Sequence, residues 1–344
     1  MSSPKRTLII AEVGINHNGD PNLAKDIIAA AKEAGADIAK THTYKAEEVM
    51  TGSTPLAEYM RSGEAKASKP ASSFLEMARK FELSDSSTES LKAFAESIGI
   101  EFLSSPFDVP SVPYLWNLGV KRLKLPSGEL VNPLLLKASA ETRLPLIVST
   151  GMATLEEVRY AVGVLRSNGS GPLCLLHCLT QYPAEFKHVN LRAMLTLMKE
   201  FPDCEIGYSD HTPGIEASVA AVALGATVIE KHLTLDKSLP GPDQAASLDP
   251  AEFKRLVQAI RNIEQAMGDG VKRPSEPEIL TIKIVRKSVV LRSAQKAGTV
   301  LTEAMLTGKR PGSGIPVREI GLVIGRKLKR ELPADSLISL EDLV

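Results

Sequence analysis

The stretch EIGYSDHTPGIEASVAAVALGATVIEKHLTLD, residues 205–236, decides how this chain reads. It holds two short apolar runs, 205–210 and 228–236, separated by one helix-sized segment at 214–225. His211 follows the first run in Ser209-Asp210-His211. His232 lies in the second, in Glu230-Lys231-His232. Apolar runs that alternate with amphipathic segments suit parallel strands buried on both faces. Neutral imidazole is the commonest protein metal ligand, and side chains at the ends of successive barrel strands converge. The histidine pair therefore suggests a divalent metal site with positions left open for a substrate. Two histidines suit Mn²⁺, Zn²⁺ or Fe²⁺ better than Ca²⁺; His211 alone would read as a hydrogen-bonded turn residue.

Working outward, the same alternation fills most of the chain. Strand-like runs at 8–16, 37–44, 100–107, 122–127, 145–150 and 173–180 precede the two already quoted. Each is followed by a helical pattern, such as 250–267, where Phe253, Leu256, Val257, Ile260, Ile263 and Met267 share one face. Eight strand–helix pairs in about 265 residues predict a TIM (β/α)8 barrel. An open doubly wound sheet is the alternative, but Gly14-Ile15-Asn16-His17-Asn18-Gly19 lacks the phosphate-turn glycine spacing that such a sheet carries after its first strand. A polar segment at 45–72 reads as an irregular lid. The pattern stops near Gly268, which predicts a barrel over 1–268, a linker over 269–284 and a small second unit over 285–344.

Composition narrows the function classes. The 41 basic residues balance the 41 acidic ones, and aromatics make up 4%, so neither a nucleic-acid surface nor a base-stacking platform is indicated. Three cysteines without a CxxC pair argue against a disulfide framework and for a reducing cytoplasm. No secretory leader and no membrane span is expected.

Polar residues collect at the predicted strand ends: Glu12, Asn16 and His17; Lys40 and His42; Ser105 and Asp108; Lys124 and Ser127; Ser149 and Thr150; Thr180 and Tyr182; Ser209 and His211; Glu230 and His232. That is where a barrel builds its active site. Lys40 and Lys124 interrupt apolar strands, and a buried ammonium needs an anion. The anion is either a phosphate or carboxylate ligand, assisted by the serines at 105, 127, 149 and 209, or a barrel carboxylate such as Glu12, Glu129 or Glu230. A Schiff-base lysine is a further option. His17, His42 and His177 read as substrate contacts or core residues, and His188 as solvated. Gly241-Pro242-Asp243 and Tyr182-Pro183 read as turns or as sugar contacts. Cys174 and Cys178 read as core, and the basic run 326–330 as a solvated face.

These residues, in this order, resemble the sialic acid synthase family. The resemblance rests on Glu12-Val13-Gly14-Ile15-Asn16-His17-Asn18-Gly19, Ser105-Pro106-Phe107-Asp108, Leu125-Pro126-Ser127-Gly128-Glu129, Ser149-Thr150-Gly151-Met152, Leu176-His177-Cys178 with Tyr182-Pro183, Ser209-Asp210-His211-Thr212, Glu230-Lys231-His232, Gly241-Pro242-Asp243 and Lys309-Arg310-Pro311-Gly312. It implies a TIM barrel followed by an antifreeze-like (SAF) domain in a domain-swapped homodimer. It also implies condensation of phosphoenolpyruvate with an N-acylated hexose, with N-acetylmannosamine the first expectation. The alternatives are a diacetamido-trideoxyhexose, as in legionaminic and pseudaminic acid synthases, or a phosphorylated aldose. The metal implied is Mn²⁺, with Mg²⁺ or Co²⁺ as other divalent choices, held by His211 and His232. Lys40, Ser105, Lys124, Ser127, Ser149, Thr180 and Ser209 fall where the family binds phosphoenolpyruvate. Glu12, His42, Tyr182, Glu230 and Asp243 fall near the sugar, and Glu12 or Glu230 would move protons. Arg310 matches the arginine lent to the partner's site. His42, Thr180 and Gln244 depart from the residues usual in the family and bear on the choice of sugar.

Overall fold

The computed structural model describes residues 6–64, 67 and 70–344. They fall into two compact units that divide between Asp269 and Gly270. The first is built on eight parallel strands: β1 (Leu8–Gly14), β2 (Ile38–Thr43), β3 (Glu101–Pro106), β4 (Leu123–Leu125), β5 (Leu146–Ser149), β6 (Leu173–Cys178), β7 (Glu205–Asp210) and β8 (Val228–His232). Their order is β3-β2-β1-β8-β7-β6-β5-β4, and β3 and β4 come together at the seam. There Arg122 Nε donates to Glu101 at 2.7 Å. The sheet curls into the expected TIM barrel.

Helices fill the connections between the strands. They are α1 (Pro21–Ala34), α2 (Ala46–Val49), α3 (Glu58–Glu64), α4 (Phe74–Phe81), α5 (Asp85–Ser97), α6 (Ser111–Leu118), α7 (Pro133–Glu141), α8 (Leu155–Ser167), α9 (Phe186–Val189), α10 (Ala193–Glu200), α11 (Glu216–Ala223) and α12 (Pro250–Ala266). Their starts are written locally. Asp20 caps α1, with Pro21 in its first turn, and Asp249 with Glu252 closes a capping box on α12. None of the described helices is long and apolar enough to cross a membrane.

Strand periodicity decides what faces the barrel interior. Ile10, Ile38, Leu103, Ile147, Leu176 and Val228 fill its lower half as one apolar cluster. Two residues on along each strand come Glu12, Lys40, Ser105, Ser149, Cys178 and Glu230, so a polar layer lies directly on the apolar plug. On β7 the inward position below Ser209 is Gly207. A Cβ there would come within 2.4 Å of the Val228 carbonyl oxygen, so only glycine lets the chain pass.

Two expectations need correction. The segment 45–72 is not irregular throughout: it carries α2 and α3, while its residues 65, 66, 68 and 69 lie outside the described part. Residues 276–285, assigned by sequence mainly to the linker, form helix α13 (Glu276–Val285) within the C-terminal unit. That unit pairs β9 (Ser288–Leu291) antiparallel with β10 (Leu306–Lys309) over a core that includes Val289, Leu291, Leu306, Val323 and Leu332.

Candidate active site

The polar layer opens into a cavity of about 340 Å³ at the C-terminal ends of the strands. Its floor holds four buried charged groups. Lys40 pairs with Glu12, and its Nζ also lies 3.6 Å from Glu230 and 3.2 Å from the Ser105 hydroxyl. Lys124 Nζ lies 3.4 Å from Glu230. Both lysines therefore meet barrel carboxylates, one of the two options the sequence left open. Burial alone would raise Glu12 and Glu230, but the facing ammoniums overturn this and hold both below the usual carboxylate range. The lysines differ. Burial lowers both, yet two carboxylates lift Lys40 above the ordinary value, while Lys124, beside Glu230 and near Lys40's positive charge, stays below it.

Hydroxyls ring this floor. Ser209 donates to Glu230 at 2.9 Å, and Ser127 accepts from the Gly151 amide at 3.0 Å. The Ser149 and Thr180 oxygens are buried without a hydrogen-bond partner. An unpartnered buried hydroxyl is costly, and two of them facing a cavity beside two ammoniums suit an anionic ligand.

His211 and His232 meet across the same cavity with ring centroids 5.3 Å apart. His211 Nδ1 donates to the Leu179 carbonyl at 2.7 Å, which leaves Nε2 as the lone-pair nitrogen. His232 Nδ1 is buried without a hydrogen bond, and burial pushes this ring well below its usual pKa, so it is neutral. Two such nitrogens fit a divalent ion. Among the described residues no group of three or more His, Cys, Asp and Glu is gathered for a metal.

An aromatic stack continues outward. Tyr182 packs on His211 with centroids 4.1 Å apart, and Tyr59 of α3 stacks on Tyr182 at 5.0 Å. Helix α3 also lies against the turn bearing Asp243: a Cβ on Gly63 would come within 2.4 Å of the Gly241 carbonyl oxygen. His42 Nε2 lies 3.0 Å from Glu12. Asp243 Oδ2 is 3.8 Å from His232 Nδ1, and burial raises this carboxyl to about 6. The native state therefore holds the Asp243 proton more tightly than the unfolded chain does. Its stability is highest with Asp243 protonated and falls as pH rises from about 4 through 6. Asp243→Asn removes that penalty. In metal-free protein it is expected to unfold at higher urea than wild type at pH 8, by roughly 2–3 kcal/mol, and at the same urea at pH 4. An equal midpoint at pH 8 would contradict this.

Several predicted residues lie elsewhere. Asn16 bonds Leu233 and Ser247, Asp108 binds the amides of Lys45 and Ser111, His17 accepts from Gly19, and Thr150 donates to Leu176. Glu129 accepts from Asn132, and His177 bonds Val189. Gln244 is buried against Thr234 and Asn16 and does not line the cavity. Arg310 belongs to the C-terminal unit, where its Nε donates to Val285. Cys178, read as core, lines the cavity with its sulfur 3.9 Å from His211. The sequence also gave no hint of an apolar wall built from Val49, Met50, Tyr59, Met60, Phe74 and Phe81.

The NeuB family model matches residues 27–272 and the SAF domain model residues 286–344. The chain belongs to the NeuB family. An N,N'-diacetyllegionaminic acid synthase of Legionella pneumophila is 45% identical over 97% of this chain and 94% of its own length. Human N-acetylneuraminate-9-phosphate synthase is 36% identical over 98% and 92%. Among solved structures, the N-acetylneuraminic acid synthetase of Leptospira borgpetersenii in complex with citrate superimposes with a TM-score of 0.71 at 35% identity, over 80% of this chain and 90% of that one. The fold and family expected from the motifs are thus both found in this NeuB-family chain, with the barrel and the SAF domain in the expected order.

Proposed function

We propose that this enzyme condenses phosphoenolpyruvate with the open-chain aldehyde of an N-acylated hexose and with water, giving a nonulosonic acid and phosphate. The observation that carries the reading is the pair of buried ammoniums, Lys40 and Lys124, beside the unpartnered hydroxyls of Ser149 and Thr180 in a cavity that also receives two imidazoles. C3 of phosphoenolpyruvate attacks the aldehyde carbon, C2 takes on oxocarbenium character and water adds there. The resulting tetrahedral intermediate releases phosphate by C–O cleavage. We assign Lys40 and Lys124 to the phosphate and carboxylate charge and Ser127, Ser149, Thr180 and Ser209 to their oxygens, with Ser105 holding Lys40. Donors fixed in advance toward developing charge are often the largest catalytic contribution. Glu12 and Glu230, both ionised, are the acceptors for the proton of the added water. His42, Tyr182 and Asp243 face the sugar. A divalent ion on His211 and His232, Mn²⁺ first and Mg²⁺ or Co²⁺ as substitutes, would polarise the aldehyde oxygen as a Lewis acid.

N-acetylmannosamine and a diacetamido-trideoxyhexose both satisfy this chemistry, and the 45% identity to a diacetyllegionaminic acid synthase favours the second. The proposal includes a domain-swapped homodimer in which Arg310 of one copy serves the barrel of the other, working in the cytoplasm. Arg310→Ala is expected to lose turnover with the fold intact. The test of the reaction is phosphate release from phosphoenolpyruvate after EDTA treatment, with Mn²⁺ restored. Release that needs both an N-acylated hexose and the metal supports the proposal. Release with neither, or none with any such sugar, overturns it.

A further inference from the structure

Asp243 reaches the cavity from the turn between β8 and α12. Its Oδ2 stands 3.8 Å from His232 Nδ1, beyond hydrogen-bond reach, and among the described residues its carboxyl accepts no hydrogen bond. Where that carboxyl points is therefore decided by the backbone that carries it. A buried side-chain network grips this backbone without reaching the cavity. Asn16, on the turn after β1, is 1% exposed. Its Nδ2 donates to the Ser247 hydroxyl at 2.8 Å and to the Leu233 carbonyl at 2.9 Å. Ser247 Oγ in turn donates to the Asp243 carbonyl at 2.7 Å. Gln244, also 1% exposed, donates through Nε2 to the Asn16 carbonyl at 3.0 Å and accepts from the Thr234 hydroxyl. Asn18 Nδ2 holds the start of the turn, on the Pro240 carbonyl at 2.9 Å.

We propose that Asn16, Gln244 and Ser247 are positioning residues for the sugar: none of them touches it, and together they hold the Asp243 carboxyl where the sugar meets it. The inference rests on the condensation reading above, in which Asp243 faces the sugar, and extends it to residues that line no part of the cavity. Buried polar side chains are costly unless they find partners. Of the side-chain polar atoms of these three residues, only Asn16 Oδ1 lacks a hydrogen bond among the described residues. The others bond to one another or to the chain on either side of Asp243, and a buried network satisfied in this way fixes one geometry. Gln244 uses one donor and one acceptor, so a residue at this position must supply both. Neutral histidine does, and methionine, of similar length, supplies neither.

The test is a double-mutant cycle. It is read in phosphate release by the full chain with phosphoenolpyruvate, Mn²⁺ and, in turn, N-acetylmannosamine and 2,4-diacetamido-2,4,6-trideoxymannose. Ser247→Ala and Gln244→Met are expected to raise the sugar KM by about tenfold, the scale on which groups behind a functional side chain act. The KM for phosphoenolpyruvate and the Mn²⁺ affinity, by equilibrium dialysis, should stay at the wild-type values. Gln244→His is expected to restore most of the sugar KM. Asp243→Ala raises the sugar KM by itself, and adding Ser247→Ala to it is expected to raise it no further. If Gln244→Met fails to fold, Ser247→Ala, which removes a single hydroxyl, carries the same test. Effects that multiply in the double variant, or KM values for sugar and phosphoenolpyruvate that rise together, would overturn the inference while leaving the condensation intact. A sugar KM unmoved by Asp243→Ala would take Asp243 out of the sugar site, and the inference with it. No release with either sugar would remove the condensation reading itself, and the inference would fall too.

Discussion

Replacing Lys231 by methionine is expected to destabilise the barrel by about 3–5 kcal/mol, the usual cost of stripping one partner from a buried ion pair. Lys231 is fully buried, and its ammonium lies 2.9 Å from Asp210. Burial pushes its pKa down, and Asp210 offsets part of that. The two residues are register partners on β7 and β8. Because Ser209, His211, Glu230 and His232 point inward, strand alternation turns Asp210 and Lys231 outward, under the helical layer. Asp210 also accepts from the Ser218 hydroxyl of α11 at 2.6 Å, from the Thr212 amide at 2.8 Å and from Tyr208 at 3.2 Å. Those donors remain after the substitution and keep the cost toward the lower end of the range. The midpoint of urea unfolding measures it. A shift worth less than about 0.5 kcal/mol, ordinary for a surface substitution, would show that the pair contributes nothing. The same pair fixes the backbone immediately before both histidines, so Lys231→Met is also expected to weaken metal binding in the protein that remains folded.

How much of this was legible in the chain depended on period and sign. The barrel and the identity of the floor residues follow from one rule, that inward positions recur every second residue. Counting on from Ile10, Ile38 and Val228 arrives at Glu12, Lys40 and Glu230 without further information. The partners of the lysines were not legible. A buried lysine requires an anion, but sequence spacing does not say whether the protein or the substrate provides it. The apolar wall was hidden for a different reason. Val49, Met50 and Phe74 carry the same periodic signal as core residues, and nothing local distinguishes a side chain that faces a cavity from one that faces a helix. Two of the helices carrying the wall escape the sequence reading because α2 has four residues and α3 has seven, too few to show a periodicity, whereas a helix around Phe74–Phe81 is expected from the sequence and is found as α4. Helix α13 was a readable signal passed over: Ser275 and Glu278 form a capping box around Pro277.

Removal of the His232 imidazole is expected to have the largest effect on turnover, and charge accounting explains why. Lys40 and Lys124 contribute two positive charges to the floor, and Glu12 and Glu230 contribute two negative ones. The floor is thus close to neutral before a multiply charged anion enters it. Donors to the phosphate and carboxylate are present, but net positive charge is not. A low-dielectric cavity makes that deficit expensive. A divalent ion on the two histidines would restore the balance at the edge of the same cavity. His232 suits the role because its ring is neutral, buried and without a competing hydrogen bond at Nδ1. Even groups that only orient a metal ligand are worth about 10–100-fold in metal affinity or activity. His232→Ala is therefore expected to lose at least about 100-fold in both Mn²⁺ affinity, by equilibrium dialysis, and phosphate release at limiting Mn²⁺. The exposed His188, replaced by alanine in the same way, should leave both unchanged. Wild-type release by His232→Ala at limiting metal would remove the ligand assignment. Lost release with undiminished Mn²⁺ binding would move the metal elsewhere and leave His232 as a substrate contact.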